Sequence, residues 1–166
     1  MALEEVNLET ADEQYTVLVH GDTGSGKTRW AASWPDVLFL SVNDEKGWET
    51  IRWMDPSNFY EGRKPRIWKL KKATDLVEAH KDVQPLITSG KVKTVVIDSL
   101  TFWVEMFYDH LLSQMGKTDN RQVYGVLGDH LRNVRIKFHQ LNCNIIWLCT
   151  TRQPDEQPSS QCRKSK

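Results

Sequence analysis

The segment GDTGSGKT, from Gly21 to Thr28, constrains the fold of this chain more than any other feature of the sequence. It matches the pattern GxxxxGK[ST], and it lies directly after an apolar run and before a segment with helical spacing. Its glycines permit positive φ and carry no side chain, so backbone N–H groups can point inward around an anion. The pattern therefore predicts a strand, a glycine-rich loop and a helix that together bind the phosphates of a nucleotide, with ATP as the expected ligand.

Each position of the loop belongs to this prediction. The expected phosphate-binding residues are Gly21, Asp22, Thr23, Gly24, Ser25, Gly26, Lys27 and Thr28. Lys27 supplies a full positive charge to the outer phosphates, and the Thr28 hydroxyl is the expected ligand of Mg²⁺. The alternative is a glycine turn that matches the pattern by chance, and the predicted strand and helix on either side argue against it.

A second candidate for the site is the carboxylate that ends the apolar run KTVVIDS. Asp98 stands where a parallel strand reaches its carboxyl edge, and the phosphate loop lies at the same edge. Mg²⁺ takes few carboxylates and keeps several of its waters, so we expect Asp98 and Thr28 to hold the ion. In the alternative interpretation Asp98 caps the helix that begins at Leu100, a position for which Ser99 competes.

Short apolar runs alternate with helical or turn segments along the chain, as expected of a parallel sheet covered by helices. The runs are YTVLVH, DVLFLSV, RIWKL, KTVVIDS and NIIWLCT. The stretches VLV, VVI and IIWL are almost continuously apolar, which predicts strands in the centre of the sheet. We therefore predict an α/β fold of the P-loop NTPase type: three layers, a mostly parallel sheet of about five strands, and helices on both faces.

The segments between the strands divide into helical and polar stretches. Helices are predicted over Lys27–Ser33, Thr74–Ile87, Leu100–Met115 and an apolar stripe from Val123 to Leu141. Two polar stretches are predicted to be irregular, Pro56–Pro65 and Gly116–Gln122.

Length and composition set the domain organisation. A chain of 166 residues fits one domain. We expect an acidic lead-in over residues 1–14, a nucleotide-binding domain over 15–151 and a disordered tail over 152–166, where two prolines and few apolar residues occur. The lead-in lacks the basic start and apolar run of a targeting signal, and no apolar stretch is long enough to span a membrane.

Charge and cysteine content exclude several function classes. The 22 Lys and Arg balance the 22 Asp and Glu, so any contact with nucleic acid has to come from a local patch. The three cysteines show no metal-binding spacing, which favours a reducing cytoplasm over a disulfide framework. They are Cys143, Cys149 and Cys162.

The motifs together resemble one family. GDTGSGKT, SWPDVLFL, KTVVIDSLTFW and NCNIIWLCTT, in this order between Tyr15 and Thr151, are similar to the RecA-like phage ATPases with an AAA-type ATP-binding domain, a group that includes single-strand annealing proteins. The resemblance implies a RecA-like core, hydrolysis of Mg-ATP at subunit edges in a homo-oligomer or with a partner subunit, and work on single-stranded DNA in recombination or replication. If the protein is phage-encoded, it works in the host cytoplasm.

The resemblance also implies further site residues. RecA-like proteins keep a catalytic Glu just after the second strand, where this chain has Asn43, Asp44 and Glu45. We take Glu45 as the candidate base that orients the attacking water, with Asp44 as the other option and a solvated acidic turn as the alternative. The family places a polar residue that senses the outer phosphate at the end of the last predicted strand, where Thr150 and Thr151 stand.

A DNA-facing loop is implied over the polar stretch before the long helix. Lys117 and Arg121 are candidates for phosphate contacts, and Asn120 and Gln122 for hydrogen bonds to nucleotides. A solvated loop is the alternative, because no aromatic residue lies inside the stretch to stack on a base.

Two other functions stay open on the sequence. A nucleotide-binding regulator or subunit without efficient turnover fits a chain whose catalytic carboxylate is uncertain. A small-molecule or nucleotide kinase would use the same loop, but no Arg-rich lid follows the first helix and the long separation of Lys27 from Asp98 leaves room for extra strands.

Overall fold

The computed structural model describes residues 14–42, 46–115 and 120–151. Five strands and five α-helices follow one another in this part of the chain: β1 (Thr16–Gly21), α1 (Lys27–Ala31), β2 (Val37–Val42), α2 (Glu49–Arg52), β3 (Arg66–Leu70), α3 (Asp75–Thr88), β4 (Thr94–Asp98), α4 (Leu100–Met115), α5 (Asn120–His139) and β5 (Asn144–Thr150). Two short 3₁₀ turns, Pro56–Asn58 and Tyr60–Gly62, stand between α2 and β3.

The strands form one sheet in the order β1-β5-β4-β2-β3, and every pair of neighbours is parallel. The predicted α/β fold with about five parallel strands is therefore confirmed. β5 lies between the strand that leads into the phosphate loop and the strand that ends in Asp98. In register, Gly21 is opposite Thr150 and Ser41 is opposite Asp98, so the carboxyl ends of the four strands meet at one edge.

Two hydrophobic clusters cover the two faces of the sheet. Successive residues of a strand point to opposite faces, so Leu38 and Leu40 pack with α3, α4 and α5, whereas Val37 and Phe39 pack with the residues around α1 and α2. All six residues of β2 and all five of β4 are buried. The three-layer arrangement with helices on both faces is therefore confirmed.

β1 differs from the prediction. Among the described residues it is an edge strand, and its side chains alternate between exposed and partly buried, with Leu18 60% exposed. The placement of VLV in the centre of the sheet was wrong, because a three-residue apolar run does not reveal how many neighbours a strand has. VVI in β4 and IIWL in β5 do lie in the interior of the sheet, as predicted.

Element boundaries shift by a few residues, and one helix was not predicted. α1 ends at Ala31, two residues before the predicted end. The four-residue helix α2 is too short to produce a periodic pattern. The stretch from residue 116 to 122 is not irregular throughout, because residues 120–122 form the first turn of α5.

Several sequence-based expectations fall outside the described residues. These are the acidic lead-in up to residue 13, the tail over 152–166 and the position of Lys117 in the stretch 116–119. Asn43, Asp44 and Glu45, the candidates for the hydrolytic base, also fall outside it.

Candidate functional site

The phosphate loop leaves β1 at Gly21 and enters α1 at Lys27. Gly24 and Gly26 have φ of 83° and 89°, in the left-handed region that residues with a Cβ rarely adopt. One backbone hydrogen bond crosses the loop, from the Ser25 N–H to the Asp22 carbonyl at 3.2 Å. Gly26 precedes α1 without a side-chain cap, so side chains do not occupy the first N–H groups of the helix.

The Lys27 ammonium lies against this loop. Its Nζ donates to the carbonyl oxygens of Gly21 at 2.7 Å and of Asp22 at 2.9 Å. Both acceptors are neutral carbonyl groups, so these contacts orient the ammonium without neutralising its charge. The positive charge therefore remains available to an anion that enters the loop.

The Thr28 hydroxyl and the Asp98 carboxylate meet beside Lys27. Thr28 Oγ1 donates to Asp98 Oδ2 at 3.0 Å, across a separation of 70 residues in the sequence. Asp98 is only 5% exposed, and this burial raises its pKa above the usual range, against the opposing effects of the Thr28 hydrogen bond and the Lys27 charge. Burial of a charged carboxylate costs free energy, and a bound cation would offset that cost.

Ser99, the residue after Asp98, takes the capping position at the start of α4. The Ser99 Oγ lies 3.5 Å from the Phe102 N–H at the start of α4, and the Trp103 N–H donates to the Ser99 carbonyl at 3.2 Å. The Asp98–Ser99 peptide bond is cis. Of the two sequence alternatives for the cap of α4, the structure places Ser99 there, and the Asp98 carboxylate faces Thr28 instead.

The hydroxyl and the carboxylate suit Mg²⁺. Both groups present hard oxygen atoms, and Mg²⁺ typically uses one or two such protein ligands with waters and phosphate oxygens completing the shell. The donor set does not suit a metal that prefers nitrogen or sulfur, since no group of three or more His, Cys, Asp or Glu side chains comes together within the described ranges.

Gly47 approaches the same pair of side chains. A Cβ atom at this position would lie 3.0 Å from Asp98 Oδ2 and 3.2 Å from Thr28 Oγ1, closer than ordinary packing contacts. Thr50, at the start of α2, donates from its hydroxyl to the Gly47 carbonyl at 2.7 Å. The Gly47 backbone therefore lies against the Thr28–Asp98 pair, and an added side chain would require these two neighbours to shift by a few tenths of an ångström.

Around these groups lies a cavity of about 270 Å³ at the carboxyl edge of the sheet. It is lined by Thr23, Gly24, Gly26, Lys27, Thr28, Arg29, Gly47, Thr50, Asp98 and Thr150. The structure thus brings together most of the loop with Asp98 and Thr150. The sequence did not identify three of the lining residues: Arg29, Gly47 and Thr50. The one signal for this part of the site was a glycine shortly after the end of a strand.

Thr150 stands at the end of β5, opposite Gly21. Its N–H donates to Thr101 Oγ1 at 3.0 Å, and the Thr151 N–H donates to the Gly21 carbonyl at 3.1 Å. The end of β5 is therefore tied on one side to α4 and on the other to the first residue of the phosphate loop. Thr101 was not predicted, and it fixes the position of Thr150 through the backbone.

The residues implied for contact with DNA lie away from this cavity. Arg121 and Gln122 are exposed in the first turn of α5. Tyr124, 60% exposed on the same helix, stacks on Tyr108 of α4 with ring centroids 5.0 Å apart. None of these residues lines the cavity around Lys27.

A family model described as an AAA domain matches residues 13–163 of the chain. The chain belongs to the AAA domain family. The match covers all of the described elements, including the loop, Asp98 and Thr150. Together with the parallel sheet and the GxxxxGK[ST] loop, it establishes an AAA-type P-loop ATPase domain.

A solved structure supports the fold of this AAA domain. It is the prototypical ATPase from the type III secretion system of pathogenic bacteria, with a TM-score of 0.58 at 13% sequence identity. The likeness covers 86% of this chain and 46% of that one, so the chain spans less than half the length of this structural neighbour. No curated protein matches the chain in sequence. No helix of the AAA domain, within the residues described, is long and apolar enough to cross a membrane.

Proposed function

We propose that this AAA domain is a RecA-like ATPase that binds Mg-ATP and works on DNA in recombination, annealing or replication, and that it is phage-derived. The observation that carries the nucleotide part is the contact of Thr28 with Asp98, 3.0 Å apart, beside the loop that holds Lys27. We take residues 15–151 as the working unit, in a homo-oligomer or with a partner subunit.

The residues of the site make different proposed contacts with the nucleotide. The backbone N–H groups between Gly21 and Thr28 bind phosphate oxygens, and Lys27 adds a charge to the outer phosphates. Thr28 and Asp98 hold Mg²⁺, which when bound neutralises charge on the phosphate oxygens. Thr150, held by Thr101, faces the same cavity and is the proposed contact for the outer phosphate.

Hydrolysis requires a carboxylate that orients water in line with the outer phosphate. We propose Glu45 for this role, with Asp44 as the alternative, because both lie within a few residues of Gly47, whose backbone approaches Thr28 and Asp98. The DNA part of the proposal rests on the resemblance of the motifs to RecA-like phage ATPases.

A second function is a nucleotide-binding subunit without efficient turnover. One sequence observation favours it: when the second strand is aligned without a gap, Asn43, which has no carboxylate, stands at the position of the catalytic Glu of RecA-like proteins. If neither Asp44 nor Glu45 reaches the attacking water, the domain binds Mg-ATP and responds to it without hydrolysis.

Phosphate release from ATP with Mg²⁺, measured with and without single-stranded DNA, tests these functions. The proposal predicts turnover that DNA stimulates and that Glu45→Gln stops without loss of ATP binding. Tight binding without release in the wild type would support the second function. Turnover that requires a small phosphate acceptor would identify a kinase, and retained turnover in Glu45→Gln would move the base to Asp44 or elsewhere.

A further inference from the structure

A second cleft lies at the edge of the sheet opposite the phosphate loop. Asp36 immediately precedes β2, Arg66 begins β3, and Lys91 lies three residues before β4. These strands are parallel, so their amino ends gather at one edge, about 20 Å along a six-residue strand from the carboxyl edge. The cleft has a volume of about 480 Å³. A ligand here and a nucleotide at Lys27 can be bound at the same time.

The cleft is strongly cationic, although the chain as a whole has no net charge. Lys64, Arg66 and Lys91 line it, and the side chains of these residues make no ion pair or hydrogen bond with another described residue. Unpaired cations that converge on one concavity raise its potential and attract anions. The local patch that a neutral chain needs in order to bind a polyanion is therefore present at this edge.

Asp36 is a buried, ion-paired residue that lines the cleft. Its side chain is only 7% exposed, and its Oδ1 accepts from Arg63 Nη1 at 2.6 Å. Its Oδ2 lies 3.9 Å from Lys93 Nζ, and its carbonyl accepts from the Lys93 N–H at 3.1 Å. Asp36 thus positions Arg63 and Lys93 beside the cleft. Glu61 also pairs with Arg63. Neither carboxylate pairs with the other cations that line the cleft, so their positive charge is not neutralised.

An aromatic ring stands beside the cations. The guanidinium of Arg63 lies 5.9 Å from the centroid of the Tyr60 ring, and Tyr60 is 38% exposed. A cationic groove combined with an exposed aromatic ring is typical of surfaces that bind single-stranded nucleic acids, because phosphates pair with the cations while a base stacks on the ring.

We propose that this cleft binds the phosphodiester backbone of a single-stranded nucleic acid, with Lys64, Arg66 and Lys91 on phosphates and Tyr60 against a base. The inference rests on the proposed function only for the choice of a nucleic acid among polyanions. It assigns the contact to the amino edge of the sheet rather than to the stretch before α5 that the family resemblance suggested.

The test measures binding of fluorescently labelled oligo-dT and oligo-rU by anisotropy over a range of salt concentrations. The double variant Lys64→Glu/Lys91→Glu is compared with Lys71→Glu/Lys72→Glu, which has the same net charge but lies beyond the other end of β3. We expect the cleft variant to weaken binding roughly tenfold or more and to reduce the slope of log K against log salt by about 1.4, the value for two lost phosphate contacts. The control should change affinity less than about threefold.

Tyr60→Leu provides a second, uncharged variant. Loss of base stacking should weaken binding roughly fivefold or more and leave the salt slope unchanged. Circular dichroism melts establish that each variant is folded, and Lys64→Gln/Lys91→Gln replaces the reversal variant if that one does not fold. A preference between oligo-dT and oligo-rU identifies which polymer is the source of the backbone.

Three outcomes would overturn the proposal: no binding by the wild type, equal losses in the cleft and control variants, or equal competition by polyglutamate. ATP affinity is measured in parallel and should be unchanged in the cleft variants. Binding of the oligomers through the cleft by a protein that does not bind ATP would contradict the proposed function and leave this inference standing.

Discussion

Gly47 is the residue that ties the segment after β2 to the candidate metal site. Its backbone is outside the left-handed region, so alanine is permitted by conformation, but the added Cβ would lie 3.0 Å from Asp98 Oδ2. We predict that Gly47→Ala reduces the gain in ATP affinity that Mg²⁺ provides by roughly tenfold, or about 1.4 kcal/mol. Calorimetric titrations of ATP with and without Mg²⁺ measure this gain.

Gly128→Ala is the matched control for that variant. A Cβ at Gly128, in α5, meets no atom within 4 Å, and alanine favours a helix over glycine by roughly 0.5–1 kcal/mol. It should leave ATP affinity unchanged and raise the melting temperature slightly. An unchanged Mg²⁺ effect in Gly47→Ala would show that the segment after β2 does not restrict the metal site.

We expect Asp98 to lower the free energy of unfolding of the metal-free protein, although the same carboxylate is a ligand in the proposed metal site. Its carboxylate is buried and its raised pKa reflects the cost of keeping the charge there. We predict that Asp98→Asn, which retains an acceptor for Thr28, raises the melting temperature without ligands at neutral pH and removes the Mg²⁺ effect on ATP affinity. Thermal melts with and without Mg-ATP test both parts, and a lower melting temperature in the metal-free variant would contradict the first.

At the scale of elements, one buried aromatic residue of α4 ties this helix to the segment before α3. Trp103 is fully buried, and its Nε1 donates to the Ala73 carbonyl at 2.9 Å. Trp103→Phe leaves that carbonyl without its donor and opens space in the core, so we predict a loss of about 2–4 kcal/mol in the free energy of unfolding. Trp53→Phe, at a residue 81% exposed, should change it by less than about 0.5 kcal/mol. Urea denaturation measures both, and equal losses would contradict this account of the core.

The elements that sequence reasoning located well are those with long or repeated patterns. The apolar stripe of α5 and the buried runs of β4 and β5 are determined locally, because a helix buried on one face requires a helical period and a strand buried on both faces requires a continuous apolar run. The four residues of α2 form barely one helical turn, too few for a pattern to repeat, and the edge position of β1 depends on which strands neighbour it. Neither property can be obtained from a short run of residues.

The residues of the candidate site also differ in whether the sequence alone can identify them. Residues of the loop and Asp98 could be identified because a contiguous motif and a strand end carry their own signal. Gly47, Thr50 and Thr101 enter the site through contacts between distant segments, such as the 3.0 Å bond of Thr101 to Thr150. Such contacts follow from the packing of the parallel sheet rather than from the residues alone.

For the whole molecule, the parallel sheet places the two candidate binding sites at opposite edges of one domain. The carboxyl ends of the strands gather the phosphate loop, Asp98 and Thr150, whereas the amino ends gather the cationic cleft around Asp36. β2 and β4 run between the two sites, and the two cavities share no lining residue among those described. The proposed functions at the two edges can therefore be separated by mutation.

Every proposed role of the phosphate loop depends on whether Lys27, Thr28 and Asp98 form a binding site for Mg-ATP. Isothermal titration calorimetry of ATP into wild type and Lys27→Ala, each with Mg²⁺, measures this binding. We expect a saturable binding isotherm for the wild type and a loss of at least about a hundredfold in affinity for Lys27→Ala, because the positive charge that contacts the outer phosphates is removed. Equal ATP affinity in the two proteins would show that Lys27 is not part of an ATP-binding site.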